Sequence, residues 1–121
     1  MTKINSFEDL IVWQKSIDLS VDIYKLTAKF PREEIFGLTA QIRRASNSVS
    51  LNISEGSVRT TKMFINQLII ANGSAAEVLS GSILSVRLGF ITNSDLEKLR
   101  NTISEITKML NSLINSLSKR N

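Results

Sequence analysis

The feature of this sequence that most restricts its fold is an unbroken line of apolar residues near the C-terminus. Within residues 94–118 an apolar side chain recurs at alternating steps of three and four, at Leu96, Leu99, Ile103, Ile106, Leu110, Leu113 and Leu117. This spacing places the side chains on one face of an α-helix, in the heptad-like pattern of helices that pack lengthwise. The pattern therefore predicts a long amphipathic helix packed against other helices.

Residues that end or begin helices divide the rest of the chain. The sequence has one Pro and five Gly; Pro31 suits a first helical turn, while Gly56 and Gly89 suit left-handed helix ends. Ser94 and Glu97 have the spacing of a capping box, in which each side chain accepts a hydrogen bond from the other residue's backbone. These signals predict helices over about 7–29, 32–55, 61–88 and 94–118.

The predicted helices and their short connections favour one architecture. Apolar positions in the second and third helices also recur at three and four, as at Ile35, Leu38 and Ile42 or at Leu68, Ala71 and Ala75. Connections of a few residues require neighbouring helices to run antiparallel. We therefore predict an all-α fold, an antiparallel up-down four-helix bundle, with residues 1–121 as a single domain.

Two of the helices carry more apolar residues than one bundle core can bury. In the first helix Trp13, Ile17, Val21 and Tyr24 form a line beside a second one that contains Val12, Leu19 and Ile23. In the third helix Ile65, Ile69 and Leu79 lie beside the main apolar seam, the line that contains Leu68, Ala71 and Ala75. Surplus apolar faces usually form subunit interfaces, so self-association is favoured, although wide core faces would explain the same pattern.

The composition excludes most catalytic chemistry. Cysteine and histidine are both absent, which removes thiolate nucleophiles, disulfides, the commonest general base and the commonest transition-metal ligand. We therefore predict that the chain is not an enzyme and has no cofactor or metal. No secretory signal and no apolar run of about 20 residues stands out, so we expect a cytoplasmic protein with no membrane role.

Two polar features need interpretation. The net charge of +4 is compatible with a phosphate-rich partner but is also ordinary for a soluble surface. In the second helix, Gln41, Arg44, Ser48, Asn52 and Glu55 share one face, and Glu77 of the third helix is predicted to lie within reach of it. We favour a structural hydrogen-bonded network between the two helices over a ligand pocket.

The order of short motifs along the chain resembles one bacterial family. The motifs are FEDLIVWQ (7–14), FPREE (30–34), GL (37–38), QIRRA (41–45), NISEG (52–56), ANGS (71–74) and LGF (88–90), with Tyr24 and Glu77 between them. They are similar to those of the four-helix-bundle proteins encoded by intervening sequences within 23S ribosomal RNA genes, often labelled as an S23 ribosomal protein. The resemblance covers nearly the whole chain.

This resemblance implies a homopentamer of up-down bundles that associates with RNA or DNA. A related branch serves as the accessory protein of diversity-generating retroelements, so a reverse transcriptase is one implied protein partner. Candidate phosphate contacts are Arg43, Arg59, Lys62, Lys119 and Arg120, of which the last four are predicted to lie toward one end of the bundle. The alternative is a protein-interaction scaffold with no direct nucleic-acid role.

Overall fold

Four α-helices account for most of the chain. The computed structural model describes residues 6–120, which contain α1 (Ile11–Thr27), α2 (Leu38–Ser57), α3 (Thr61–Arg87) and α4 (Asn93–Ser118). Each helix packs against the next one in the chain, and α4 returns to pack against α1. The predicted all-α four-helix bundle is therefore confirmed.

The first two helices begin later than predicted. Phe7–Asp9 forms a 3-10 turn, and α1 begins only at Ile11 because Leu10 has an extended backbone with ψ 120°. Arg32–Glu34 forms a second 3-10 turn, and Gly37, with ψ −114°, separates it from α2. The Glu34 carboxylate then accepts a hydrogen bond from the Leu38 N–H at 3.1 Å, so an acidic side chain from the preceding turn takes the role of a cap.

Two predicted helix-end signals were wrong, and one was right. Gly56 lies inside α2, which ends at Ser57, because the glycine is needed for close contact with α3. The capping box at the start of α4 is formed by Thr92 and Asp95, with hydrogen bonds of 3.0 and 3.1 Å, and not by Ser94 and Glu97. Gly89 adopts the left-handed conformation expected at the end of α3, with φ 79°.

The core consists of the predicted seams. On α4 the line is buried from Leu96 to Leu117 except for a half-buried Leu113. On α2 the seam is buried from Leu38 onwards, but Ile35 precedes the helix and is 52% exposed. Ile35 was therefore wrongly assigned to the core.

Helix α1 buries one of its two apolar lines in the core, and of the other line only Trp13 packs against the core. Val12, Leu19 and Ile23 are buried, whereas Ile17, Val21 and Tyr24 are exposed by 36%, 45% and 43%. Ile17, Val21 and Tyr24 therefore remain exposed on a single chain.

Helix α3 is apolar on both its inner and outer sides. By length and composition alone it could cross a bilayer, but so could the core helix of a soluble protein, and 33% of its most apolar stretch is buried in the bundle. Its inner side includes the small residues Ala71 and Ala75, which are fully buried, while Ile69 and Ile70 are more than half exposed on the outer side. The apolar character of α3 thus exceeds what the core uses.

Candidate nucleic-acid and intermolecular surfaces

Four of the five predicted phosphate contacts lie at the same end of the bundle. Arg59 stands in the connection between α2 and α3, Lys62 lies in the first turn of α3, and Lys119 and Arg120 follow α4. The end of α2, the start of α3 and the end of α4 meet at one end of an up-down bundle. We refer to these four residues as the basic end.

A shallow cleft of about 400 Å³ opens at the basic end. Arg59 and Arg120 line it together with apolar side chains, including Leu113 and Leu117. Two aromatic rings in the cleft are already engaged by the bundle: Phe7 packs edge-on against Trp13 at 5.0 Å, and Phe64 is buried. The cleft therefore offers guanidinium groups above an apolar floor and suits contacts with a charged backbone better than stacking with bases.

The charges of the basic end are accessible. Arg59 forms an ion pair with Glu55, with 2.9 Å between Nη2 and Oε1, and both side chains are about half exposed. Exposed pairs of this kind contribute at most about 1 kcal/mol, so Arg59 can exchange Glu55 for a phosphate at little cost. Lys62, Lys119 and Arg120 are exposed and form no ion pair with any residue from 6 to 120.

Arg43 lies in a different place and is held by α1. Its Nε donates a hydrogen bond to the Thr27 hydroxyl at 2.8 Å, and its guanidinium lies 4.6 Å from the centre of the Tyr24 ring. The Tyr24 hydroxyl in turn accepts a hydrogen bond from Asn47 at 3.0 Å. Arg43 thus joins α2 to α1 and is structurally separate from the basic end.

A hydrogen-bonded polar network joins α2 to α3. The hydroxyl oxygens of Ser48 and Ser74 are 2.8 Å apart, and Asn52 Nδ2 donates to the Ser48 carbonyl and hydroxyl oxygens at 2.8 and 3.0 Å. Gln67, which is buried, donates to Asn52 Oδ1 at 3.4 Å. The network thus includes Ser48 and Asn52 from the predicted polar line, and two α3 residues that sequence reasoning missed.

The other members of the predicted network do not join it. Gln41, Arg44 and Glu77 are exposed, and within residues 6–120 their side chains form no hydrogen bond or ion pair. Glu55 forms its ion pair with Arg59, in the connection that follows α2. Gln41 and Glu77 do line one small cleft between α2 and α3, so the prediction that Glu77 lies within reach of this face holds for Gln41, but no hydrogen bond joins the two side chains.

The outer side of α2 forms an open groove of about 540 Å³. We call it the α2 groove; its residues include Tyr24, Ile35, Arg43, Arg44, Leu51 and Asn52. Tyr24, Ile35 and Leu51 are 43–61% exposed, and Arg44 supplies a charge that has no partner among the described residues. An apolar floor with a free cation at its rim is typical of a surface that another macromolecule covers.

Two further exposed features lie outside the surfaces described above. Phe36, in the connection before α2, is 95% exposed, although an isolated aromatic residue in a loop cannot be recognised as exposed from its sequence position. Gly73 lies on the outer side of α3 with open space around it. Among residues 6–120, no three Asp, Glu, His or Cys side chains lie close enough to share a metal ion.

Comparisons with known proteins agree with the bundle and its motifs. A family model described as "23S rRNA-intervening sequence protein" matches residues 8–112. A solved structure of a protein of unknown function, from the S23 ribosomal protein family of Bacteroides thetaiotaomicron VPI-5482, is similar to this chain with a TM-score of 0.79 and 33% identity. That match covers 87% of this chain and 96% of the other. No protein with curated annotation matches the chain.

Proposed function

The chain belongs to the 23S rRNA-intervening sequence protein family, and on this premise we propose that it is a non-enzymatic oligomer that associates with RNA or DNA through its basic end. The observation that carries the proposal is the gathering of four cations at one end of the bundle, three of them without an ion-pair partner among residues 6–120. Cations that are free of carboxylate partners can neutralise phosphates and release their counterions, which supplies most of the affinity for a nucleic-acid backbone.

Self-association would strengthen this surface. One chain carries a net charge of +4, and the five copies that the family resemblance implies would carry +20. In a cyclic oligomer every copy is related to the next by rotation about one axis, so all basic ends would face the same way along that axis. The combined positive charge on one side of the oligomer would then attract phosphates more strongly than the charge of a single chain.

The expected binding mode is independent of base sequence. No exposed aromatic ring among the described residues belongs to the basic end, and its cations are suited to phosphate oxygens. Phosphate contacts position a protein on nucleic acid without reading its sequence. We therefore expect affinity for structured RNA and duplex DNA that falls steeply as salt is added.

A salt titration with matched charge variants tests this proposal. Fluorescence anisotropy would measure binding of a labelled RNA hairpin and a DNA duplex at salt concentrations from about 50 to about 200 mM. The test variant is Lys62→Gln/Lys119→Gln/Arg120→Gln. The control variant removes the same net charge from exposed positions outside the basic end, as Lys25→Gln/Lys98→Gln/Lys108→Gln.

The two variants give distinguishable results. If the basic end binds phosphates, the test variant should lower the slope of log K against log salt by about one for each phosphate that is no longer neutralised. The control should keep a slope closer to that of the wild type. Equal losses in both variants would show that only the net charge matters, and weak binding that ignores salt would refute the nucleic-acid role.

A protein-interaction scaffold is the second candidate, and Phe36 favours it. A phenylalanine that is 95% exposed offers a large apolar anchor of the kind that fills pockets on partner proteins. The partner could be a reverse transcriptase or another protein, as predicted from the family resemblance. Purification from the native cell with and without nuclease separates the two functions, because partners that remain bound after nuclease treatment, and are lost with Phe36→Ser, support the scaffold.

A further inference from the structure

The first turn of α2 has two backbone N–H groups that are free to bind an acceptor. Glu34 accepts the N–H of Leu38 at 3.1 Å, and the first helical hydrogen bond is donated by the N–H of Gln41 at 3.0 Å. Thr39 and Ala40 lie between these residues, and their N–H groups donate to no acceptor within residues 6–120. Free N–H groups at a helix N-terminus carry the positive end of the helix dipole and suit an anion.

Thr39 adds a hydroxyl without a partner at the same place. The residue is only 4% exposed, and its hydroxyl forms no hydrogen bond with any residue from 6 to 120. The oxygen is nevertheless not sealed inside the bundle, because Thr39 lines two cavities. A polar group in so buried a position lowers stability unless it is hydrogen-bonded. The position of the Thr39 hydroxyl therefore points to a partner from outside the chain.

The two cavities meet at Thr39. One is the α2 groove, and the other is a smaller cavity of about 260 Å³ between the end of α1 and the start of α2. We call the smaller one the α1–α2 corner; Thr27 and Arg32 are among its residues. The α2 groove and the α1–α2 corner share Ile35, Thr39 and Arg43. A ligand held at Thr39 would therefore have space on both sides.

Arg43 is fixed beside Thr39 with donors to spare. Its Nε donates to the Thr27 hydroxyl at 2.8 Å, and its guanidinium lies 4.6 Å from the centre of the Tyr24 ring. Its two terminal nitrogens form no hydrogen bond or ion pair within residues 6–120. Among the described residues that line the two cavities there are three arginines and no Asp or Glu. A guanidinium whose position is already set loses little entropy on binding, and its paired N–H groups match phosphate oxygens.

We infer that the start of α2 is a binding site for the phosphate group of a small phosphorylated molecule. The phosphate accepts hydrogen bonds from the N–H groups of Thr39 and Ala40, from the Thr39 hydroxyl and from the guanidinium of Arg43. The rest of the molecule extends into the α2 groove, whose volume of about 540 Å³ lies within the range of roughly 300–1,000 Å³ of small-molecule sites.

This site is separate from the basic end. Thr39 lies in the first turn of α2 and Ser57 in its last turn, so the rise of the helix places them about 27 Å apart. The basic end adjoins the last turn. The inference therefore goes beyond the proposed function and does not depend on it.

An NMR titration that follows backbone amides, by a method suited to oligomers as well as monomers, tests the site. The probes are inorganic phosphate and AMP, and the controls are adenosine and sodium chloride at the same ionic strength. We expect both phosphates to shift the amide resonances of Thr39 and Ala40 and the two controls to leave them in place. Phosphate-induced shifts only at other residues, or shifts of Thr39 and Ala40 that chloride or adenosine reproduces, would overturn the inference.

Two variants connect the shifts to the proposed contacts. Thr39→Val removes the hydroxyl, keeps the side-chain shape and the backbone N–H groups, and should raise the Kd of AMP about tenfold, as expected for a lost hydrogen bond to a charged group. Arg43→Gln should raise it by at least as much. The matched control is Thr107→Val, because Thr107 is half-buried on α4 and its hydroxyl has no hydrogen bond within residues 6–120. It should keep the wild-type Kd.

The outcomes separate this inference from the proposed function. An unchanged Kd in Thr39→Val, with circular dichroism like that of the wild type, would overturn the site even if Arg43→Gln binds less AMP, since Arg43 also joins α1 to α2. Shifts of Thr39 and Ala40 with an RNA hairpin but with neither small phosphate would also overturn it, in favour of a second nucleic-acid contact. Loss of RNA binding in the variants of the basic end leaves the inference unaffected, because the titration with phosphate and AMP contains no RNA.

Discussion

Replacement of Gly56 by alanine should destabilise the bundle even though alanine is the better helix former. Gly56 is buried in the last turn of α2, where the chain turns into α3. A Cβ atom there would lie 2.8 Å from Cδ1 of Phe64, 3.2 Å from Cβ of Gln67 and 3.4 Å from Cα of Phe64. Two of these three atoms belong to the backbone or lie next to it, so the conflict can be relieved only by moving α3 or the buried ring.

The magnitude follows from two opposing effects. The alanine gains about 1 kcal/mol from helix propensity, and an extra methyl group in a well-packed core costs about 1–3 kcal/mol. The net destabilisation should therefore be about 1 kcal/mol and at most about 2 kcal/mol. For a chain of this length the entropy of unfolding makes 1 kcal/mol correspond to about 4 °C in Tm, so we expect Gly56→Ala to melt about 4–8 °C lower.

Gly81→Ala is the matched control. A Cβ at Gly81 would meet Cγ1 and Cδ1 of Ile42 at 2.8 and 3.2 Å, but the nearest atoms all belong to the outer parts of side chains and none to the backbone. The gain in helix propensity should then offset most of the cost, and Tm should change by less than about 4 °C. Thermal unfolding by circular dichroism, at one protein concentration and with the mass of each variant recorded, makes the comparison. A Tm for Gly56→Ala equal to or above that of Gly81→Ala would refute the reasoning.

Three further predictions concern α4 and the core. Thr92→Ala should lower the stability of the bundle by about 1 kcal/mol through loss of the N-cap, whereas Ser94→Ala should change it by less than about 0.5 kcal/mol. Urea unfolding compares the two variants, and a larger loss of stability in Ser94→Ala than in Thr92→Ala would contradict the observed capping box. Hydrogen bonds from Thr92 hold the pKa of Asp95 below its usual range, so the carboxylate stabilises the fold above the unfolded-state pKa of about 3.9, and this contribution is lost as pH falls through the lower folded-state pKa. Asp95→Asn should therefore reduce the fall in urea midpoint below about pH 4. An unchanged fall in urea midpoint at acid pH would count against this role of Asp95. Leu110→Ala should cost about 2–5 kcal/mol because the side chain is fully buried in the seam, and a loss below about 1 kcal/mol in urea unfolding would show that the site is not close-packed.

The fold was predictable where one helix face determines what is buried. The α4 seam from Leu96 to Leu117 and the left-handed Gly89 follow from local spacing and local backbone preference. The errors arose where a tertiary contact or a competing cap decides the outcome. Position 56 requires a glycine because Phe64 of α3 lies close to it. Thr92, and not Ser94, caps α4 because Thr92 has the extended backbone of the residue that precedes the helix.

The candidate site was predictable as a set of positions but less so as a set of contacts. Periodicity placed Ser48 and Asn52 on one side of α2, but it could not identify Ser74 and Gln67 as their partners, because that depends on the register between two helices. Arg43 was named as a candidate phosphate contact but was not placed at the basic end. Its position against Tyr24 follows from how α1 packs on α2, which local sequence does not encode.

The apolar surfaces that a single chain leaves open are the physical reason to expect assembly. Ile17 and Val21 on α1, Leu51 on α2 and Ile69 on α3 are all at least 36% exposed, although each belongs to a helix whose other side is already buried in the core. Exposed apolar area of this extent is unusual for a bundle that functions alone. Copies of the chain can cover these surfaces and bring several basic ends together.

Sedimentation equilibrium of the wild-type chain over a wide range of concentrations tests self-association most directly. We expect a species whose mass is a whole-number multiple of 13.5 kDa, five-fold if the family resemblance holds in full, which dissociates only on strong dilution. A single species of 13.5 kDa at every concentration would contradict self-association, because the exposed apolar faces would then have no partner among copies of the chain.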